Sequence, residues 1–462
     1  MRSFRIELME LLYYISVAFS VGLFLFLNVS LFIHRNLLTL ISIFIIILML
    51  PLLIANRRYI SRSAFFFGAA YILCVLFSSI KAASSYSYSF IEYFYAIRQY
   101  IWVLLFFTLI YLFGNNEKKM KRVIDNTINI LLVSLVIRFI SWLSFSLLKF
   151  QLFPKILMEF GKLWYRNETS IRIDGTPLIS IALFLSFYFF LKYGERKYFY
   201  KLLFMMIFVV FVNQTRMLIF PQLLSMFLMY LYYKKPYMHF YLFCIIAGIV
   251  CFLLTGGLDL IKGYINLFNN GSTDLGLGFR YWELKYYLSL LRDNHWIYGL
   301  GILTSLNANS FSILFGPGMV QMYLDDLGFV ELFVQFGILS FFLYGYLIYK
   351  LVTLIRRTKN KKYICECSLF IGLLTNILVT AASLNIFGSQ RIYSLVLIFA
   401  LIFFYLPMLG IRFAFTDYNG IKEASFVGLK NFQKMFSMPN FWTAFWNTLQ
   451  LSVTKLLLTT FL

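Results

Sequence analysis

The most constraining feature of this sequence is a series of apolar blocks of roughly 17 to 25 residues, separated by short polar connections. A helix of that length, rising about 1.5 Å per residue, crosses a hydrocarbon core of roughly 30 Å. Helix is required there because each unpaired backbone amide costs several kcal/mol in lipid. The chain is 61% hydrophobic and 13% charged, as expected of a protein solvated mainly by lipid. We therefore predict an all-α, polytopic transmembrane helical bundle.

The apolar blocks predict about twelve membrane spans and a partial one at the C-terminus. The predicted spans are 11–33, 37–55, 64–80, 96–113, 124–148, 177–191, 199–212, 217–233, 238–255, 328–349, 363–382 and 392–411. The first block is too long for a cleaved signal peptide, so it is predicted to be a retained span. Dense basic clusters then fall in alternate connections, which the positive-inside rule assigns to the cytoplasm together with the N-terminus. These clusters are Arg57/Arg58/Arg62, Lys118/Lys119/Lys121/Arg122, Lys192/Arg196/Lys197/Lys201, Lys234/Lys235 and Lys350/Arg356/Arg357/Lys359/Lys361/Lys362.

The sequence also excludes several kinds of site. The net charge of +22 is divided among short clusters between apolar blocks, so nucleic-acid binding is not expected. Cys365 and Cys367 form a single C-x-C without His, a pattern better explained by packing than by metal. The chain has no D-x-D pair, H-E-x-x-H motif, Cys/His cluster or phosphate-binding P-loop, so we predict no metal and no cofactor.

Two of the predicted outer connections are long, 149–176 and 256–327. The second is predicted to be one large extracytoplasmic loop, and such segments often carry binding and catalytic residues. Within it, 280–292 predicts an amphipathic helix that lies on the outer membrane surface or caps the bundle. Its predicted apolar face is formed by Tyr281, Leu284, Leu288 and Leu291.

Two adjacent stretches resemble the late periplasmic loop and following span of Wzy-type O-antigen polymerases and of O-antigen ligases. These stretches are GLGFRYWELKYYLSLLRDNHWIYGLGI at 276–302 and YLDDLGFVELFVQFGILSFFLYG at 323–345. Upstream, RIDGTPLIS at 172–180 and VNQTRMLIF at 212–220 are similar to the family's pattern of an Arg before a mid-chain span and an Arg at the next outer turn. The resemblance implies a GT-C-like membrane glycosyltransferase architecture for residues 1–400, in the inner (cytoplasmic) membrane of a bacterium.

The resemblance further implies that the protein polymerises undecaprenyl-pyrophosphate-linked oligosaccharide repeat units into O-antigen, capsular polysaccharide or exopolysaccharide. Its implied partners are the lipid-linked glycan, membrane lipid, a flippase and a chain-length regulator. Ligases of this group usually carry a His where this chain has 323–326, which favours polymerase over ligase. A membrane transporter, either a lipid-linked sugar flippase or a sugar ABC permease component, is the alternative of another class. A single large late loop is not the matched-halves pattern of many transporters and favours the enzyme.

A departing diphosphate needs fixed cations, and guanidinium groups bind phosphate oxygens in a bidentate fork. The four arginines predicted at outer membrane boundaries are Arg172, Arg216, Arg280 and Arg391. Each could instead be a solvated boundary residue whose side chain reaches the headgroups. Arg98 and Arg138 fall inside predicted spans, where a charge normally faces a partner or cavity. Arg98 either lines the site or forms an ion pair with Glu92.

The acceptor hydroxyl needs a general base. The candidates are Asp325, Asp326, Glu283 and His295. The two aspartates could instead cap the helix that follows them, and a loop His is often structural. We leave both interpretations open.

Residues 401–462 differ in character from the rest of the chain. Two stretches, 405–419 and 426–452, are similar to the start of sugar ABC transporter permeases of the lipoprotein/maltose type. Twelve spans would deliver residue 412 to the cytoplasm, whereas the permease pattern places it outside. We expect a truncated permease-like tail, joined to 1–400 by a gene fusion, a truncated frame or an assembly join, or else an ordinary amphipathic terminus.

Overall fold

A computed structural model describes most of the chain. The described residues are 2–55, 61–114, 116–162, 171–233, 275–292, 295–316, 322–359, 361–413 and 427–461. They form two compact units, Met1–Phe403 and Phe404–Leu462. Both units are mostly helical, which confirms the predicted all-α fold class.

The first unit is built from helices joined by short turns. It opens with α1 (Arg2–Ser20), α2 (Leu31–Ala55), α3 (Arg62–Tyr86), α4 (Phe90–Val103), α5 (Phe106–Phe113) and α6 (Glu117–Leu148). There follow α7 (Pro154–Phe160), the antiparallel pair β1 (Gly161–Lys162) and β2 (Arg172–Ile173), α8 (Ile179–Tyr193), α9 (Arg196–Ile207), a π-helix (Phe208–Asn213) and α10 (Arg216–Tyr233). The last part holds α11 (Leu275–Leu291), α12 (Ala308–Leu314), a 3₁₀ turn (Leu324–Asp326), α13 (Phe329–Phe336), α14 (Leu339–Thr358), α15 (Ile364–Thr380) and the start of α16 (Ser394–Phe413), which continues past Phe403.

Within the described residues, five helical segments are long and apolar enough to cross a membrane. These segments are Leu31–Pro51, Arg62–Tyr86, Phe90–Phe113, Glu117–Leu148 and Leu339–Thr358. The prediction of about twelve spans is therefore too high for this part of the chain. Other predicted spans form shorter apolar helices, namely Leu8–Ser20, Ile179–Tyr193, Leu218–Tyr233, Ile364–Thr380 and Ser394–Tyr405. The predicted span at 238–255 lies outside the described residues.

Backbone breaks interrupt two of the predicted spans. The predicted span 11–33 is interrupted after α1 by a turn in which Gly22 and Asn28 adopt positive φ angles of 64° and 62°. The predicted span 328–349 is divided into α13 and α14 at Gly337, which has φ 56°. A Cβ at Gly337 would also collide with the carbonyl of Ile297. Left-handed residues end helices, and average hydropathy does not register them.

The two ends of α8 have different surroundings. Near its last turn, Lys192 donates to Glu366 at 2.6 Å and also to Glu117. In the next helix, Lys201 donates to Asp125 at 2.5 Å. Lys192 and Lys201 of the predicted basic cluster thus have acidic partners on neighbouring helices. The first residue of α8 lies about 20 Å away along the helix axis, next to the residues of the candidate site.

The second unit contains α17 (Lys430–Phe436) and α18 (Pro439–Phe461). Trp442, Phe445 and Trp446 are exposed on α18. Residues 414–426, which include part of the permease-like stretches, lie outside the described residues. The permease resemblance of this tail stays a prediction.

Candidate functional site

The segment 171–174, which contains β2, is held against α6 by two side chains of that helix. Arg138, only 2% exposed, donates from Nη1 to the carbonyl of Asp174 (2.6 Å) and from Nη2 to that of Val21 (2.7 Å). Trp142 donates from Nε1 to the carbonyl of Ile171 at 2.7 Å. A buried charge is costly unless it has such partners. Arg138 therefore fixes the backbone of a segment that carries two charged side chains.

Arg172 lies in a polar group at the start of this segment. Its Nη2 donates to Oδ1 of Asp174 at 3.0 Å and to Oγ1 of Thr215 at 2.8 Å. Thr215 in turn donates to Oδ1 of Asn213, the last residue of the π-helix. A Cβ at Gly175 would collide with the Asn213 amide, so glycine permits this close approach. Short π-helical turns inside helices frequently occur at functional sites.

Arg216 follows Thr215 directly and is the first residue of α10. The backbone therefore brings the start of α10 to the Arg172 group, because Thr215 belongs to both. The side chain of Arg216 lies outside the described residues, so its predicted role beside Arg280 stays a prediction.

The first half of α11 carries two of the predicted residues. Nη2 of Arg280 lies 3.4 Å from Oδ2 of Asp326. Glu283 is 1% exposed, and its Oε1 accepts a hydrogen bond of 2.6 Å from the backbone N–H of Tyr323. Burial raises the pKa of Glu283 to about 7, while the Tyr323 N–H opposes the shift by stabilising the carboxylate.

The buried face of α11 includes Leu291 and, in part, Leu284 of the predicted apolar face, but not the other two predicted residues. Tyr281 and Leu288, predicted on the apolar face, are 63% and 45% exposed, whereas Glu283 and Tyr287 are buried. Tyr287 Oη donates to the carbonyl of Met322 at 3.3 Å. Glu283 thus accepts from, and Tyr287 donates to, the backbone of one loop, and these hydrogen bonds accompany the burial of that face.

Glu283 makes stability depend on pH in a defined direction. Its pKa rises from 4.5 to about 7 on folding, so the folded protein binds more protons in that interval. The stability from protonated Glu283 is complete below pH 4.5 and is lost as the pH rises through about 7. Gln keeps the accepting carbonyl but cannot ionise. We expect Glu283→Gln to raise the unfolding temperature in detergent well above pH 7 and to leave it unchanged below pH 4.5. Equal changes in the unfolding temperature of Glu283→Gln at both pH values would contradict this role of Glu283.

Arg391 interacts with both the group around Arg172 and the group around Arg280. Its guanidinium interacts electrostatically with Asp325, Glu331, Asp326 and Asp174. Burial lowers its pKa, and the four carboxylates partly offset that effect. We call the resulting set the charge cluster. It consists of Arg172, Asp174, Arg280, Asp325, Asp326, Glu331 and Arg391.

Two predicted site residues make their contacts elsewhere. Nδ1 of His295 lies 3.4 Å from Nζ of Lys81 on α3, and Lys81 also donates to the carbonyl of Gly299 at 2.5 Å. These contacts join α3 to the chain after α11. His295 therefore lies in a packing contact and is a poor candidate for the general base.

Arg98 belongs to the interface of α4 with α2. It donates to Oδ1 of Asn36 at 2.6 Å and lies 3.7 Å from the ring centroid of Tyr95. The alternative ion pair with Glu92 is wrong. Glu92 instead accepts from the backbone N–H of Ser89 at 2.7 Å, closing the capping box of α4. Arg98 is a structural residue of the bundle, and we remove it from the candidate site.

Sequence reasoning did not select two members of the charge cluster, Asp174 beside Arg172 and Glu331 on α13, and only Glu331 carried a sequence signal. The residue is 2% exposed and lies inside an apolar run. The rule that drew attention to Arg98 and Arg138, that a charge in an apolar run needs a partner or a function, would also have selected Glu331. The signal was therefore present in the sequence.

The described residues contain no group of three His, Cys, Asp or Glu side chains arranged to hold a metal ion. In comparisons with known proteins, no protein-family model and no curated protein matches this chain. The geometry and the sequence therefore carry the functional argument.

Proposed function

We propose that the chain is a membrane glycosyltransferase that polymerises undecaprenyl-pyrophosphate-linked oligosaccharide units into a cell-surface polysaccharide. The observation that supports this best is the charge cluster, where arginines from three distant parts of the chain meet carboxylates. Arg172 and Arg280 both lie in stretches that resemble O-antigen polymerases. Arg391 adds a third guanidinium from the turn before α16.

The proposed reaction needs these groups in distinct roles. The bond between the anomeric carbon and a diphosphate oxygen breaks, and the lipid diphosphate departs with the electron pair. The hydroxyl oxygen of a second lipid-linked unit bonds to that carbon and loses its proton to a carboxylate. Arginines stabilise the departing diphosphate because they stay charged and bind its oxygens through two N–H groups at once. Asp325 or Asp326 accepts the proton.

Two arginines of the cluster are accessible to such a substrate. The side chains of Arg172 and Arg280 are 20% and 30% exposed. Nε of Arg172 has no hydrogen-bond partner among the described residues. The pair of Arg280 with Asp326 is partly exposed, and such pairs contribute about 1 kcal/mol or less. A diphosphate with its greater charge can therefore replace Asp326 as the partner of Arg280.

The proposal also fixes an orientation in the membrane. The charge cluster faces the extracytoplasmic side, and the end of α8 that carries Lys192 faces the cytoplasm. The positive-inside rule supports this orientation, because the basic clusters alternate along the chain with the segments that carry the arginines of the site. The lipid diphosphate would then sit at the outer membrane boundary.

Deletion of the gene in its host tests the proposal. We expect the deletion strain to accumulate single repeat units, and the full chain to restore long polymer. Arg280→Ala is expected to slow chain extension about 10²-fold because it removes a fixed cation from the leaving group. Lys285→Ala, on the exposed side of the same helix, is the matched control and should restore the wild-type length distribution. Gel separation of the extracted polysaccharide gives the readout.

The location of any accumulated intermediate separates the two classes of function. Single repeat units on the outer leaflet support a polymerase, whereas units retained on the inner leaflet would indicate a flippase. An unchanged length distribution in the deletion strain would reject both. Normal polymer from Arg280→Ala would reject the role assigned to the charge cluster.

A further inference from the structure

Glu331 is the most deeply buried carboxyl group of the charge cluster. Its side chain is within hydrogen-bonding range of Asn385 and Asp325, and Arg391 supplies the nearest positive charge. Its Oε2 receives no hydrogen bond from a donor group in the described residues. A Cβ added at Gly388 would lie 2.9 Å from that oxygen, so the turn before α16 closes tightly over the carboxyl group.

The contact between Glu331 and Asp325 has a simple consequence. Two ionised carboxylates carry only hydrogen-bond acceptors, so a hydrogen bond between them requires one proton. Like charges this close, in a site from which water is largely excluded, also disfavour double ionisation. Asp325 is the more exposed of the two and additionally accepts from Oγ of Ser389 at 3.4 Å. The proton therefore belongs on Glu331 and the negative charge on Asp325.

We propose that Asp325 and Glu331 share one proton, that Asp325 is the catalytic base for the acceptor hydroxyl, and that Glu331 is its positioning residue. The identity of the hydroxyl rests on the proposed function above. In the reaction the hydroxyl proton passes to Asp325 as the oxygen bonds to the anomeric carbon. The proton already held by Glu331 stays in place and keeps donating to Asp325. The released diphosphate carries away the electron pair of the broken bond.

The surroundings of Glu331 favour one shared proton over two free charges. Arg391 is the cation nearest to it, and Asp325 is the anion that faces it. Tyr100, Tyr287 and Tyr344 also interact with its charge, and each is neutral and surrounded by packed side chains. A single negative charge on the pair balances the single positive charge of Arg391. Loss of the shared proton at high pH would leave two carboxylates against one guanidinium.

A set of three variants tests the assignment. We expect Glu331→Gln to extend chains within about 3-fold of wild type, because its amide can still donate to Asp325. Glu331→Leu, which removes the donor, and Asp325→Asn, which removes the base, should each lower the rate about 10²-fold or more. The wild-type rate should fall at alkaline pH as the shared proton is lost, and Glu331→Gln should lack that fall. The assay is chain extension in host membrane vesicles.

Infrared spectroscopy of the purified protein gives a second readout that needs no substrate. We expect the carbonyl stretching band of a protonated carboxyl group at neutral pH in Glu283→Gln, a background in which Glu283 contributes no such band, and its removal when Glu331→Gln is added. The shared proton is rejected if the band is absent, or if Glu331→Gln keeps the alkaline fall or is as slow as Glu331→Leu. If the band is present but the wild type forms no polymer, the assignment of a shared proton to the carboxyl pair stands and the proposed function is rejected.

Discussion

Replacing Arg391 by Met is expected to suppress polymer formation and to lower the free energy of unfolding by about 3 kcal/mol, because it leaves the single negative charge shared by Asp325 and the buried Glu331 without its cation. Glu331 is 2% exposed and cannot turn to solvent when that charge is removed. Asp325 and Asp174 lose the same partner. Activity should fall by a factor of about 10³, since the variant loses a diphosphate ligand and disorders the base at once. Thermal unfolding in detergent and chain extension in vesicles measure the two effects.

A charge-conserving variant and a distant control sharpen this test. Arg391→Lys keeps one positive charge but loses the planar fork, so we expect most of the stability and little of the activity to return. Arg122→Ala removes an exposed arginine that pairs with Glu10 on α1, and should change neither measurement appreciably. Equal loss of stability in Arg391→Met and Arg391→Lys would show that packing, and not charge, dominates at this position.

The helical character of the chain followed from the sequence, because lipid leaves the backbone no other choice. The number and length of the helices could not be predicted from the sequence. Gly22, Asn28 and Gly337 break predicted spans through local backbone angles, and each break leaves the average hydropathy of the block unchanged. Hydropathy averaged over a window of residues therefore locates apolar segments but not the residues at which the chain turns.

The charge cluster could be predicted in part. Arg172, Arg280 and Arg391 were selected for their chemistry and for their places between apolar blocks. In the structure Arg172 pairs with Asp174, Arg280 pairs with Asp326, and Arg391 interacts electrostatically with both aspartates. Their partners could not be assigned, because each contact joins segments far apart in sequence whose register depends on packing. His295 and Arg98 were also selected for their chemistry, as a candidate base and a candidate diphosphate ligand. In the structure they contact Lys81 and Asn36 instead. Residue type and predicted membrane depth thus reduce the number of candidate site residues, and tertiary packing determines which of them lie in the charge cluster.

Arg138 is expected to be the residue whose loss most damages the first unit. Its guanidinium holds the carbonyls of Val21 and Asp174 at 2.7 and 2.6 Å. Each hydrogen bond to a charged group contributes about 1.5–3 kcal/mol, so Arg138→Met should lower the free energy of unfolding by about 3–5 kcal/mol. The same change frees the segment that carries Arg172, so activity should fall with stability. Thermal unfolding and chain extension again measure the two effects.

A comparison with Trp142→Phe separates positioning from stability for this segment. Trp142 holds the carbonyl of Ile171 at 2.7 Å through one neutral hydrogen bond, so its loss should cost about 1 kcal/mol. Under conditions where both variants are fully folded, the hypothesis requires Arg138→Met to extend chains more slowly than Trp142→Phe, because only Arg138 binds the carbonyl of Asp174 itself. If the folded Arg138→Met protein is as active as wild type, the positions of Arg172 and Asp174 in the active protein do not depend on this anchor.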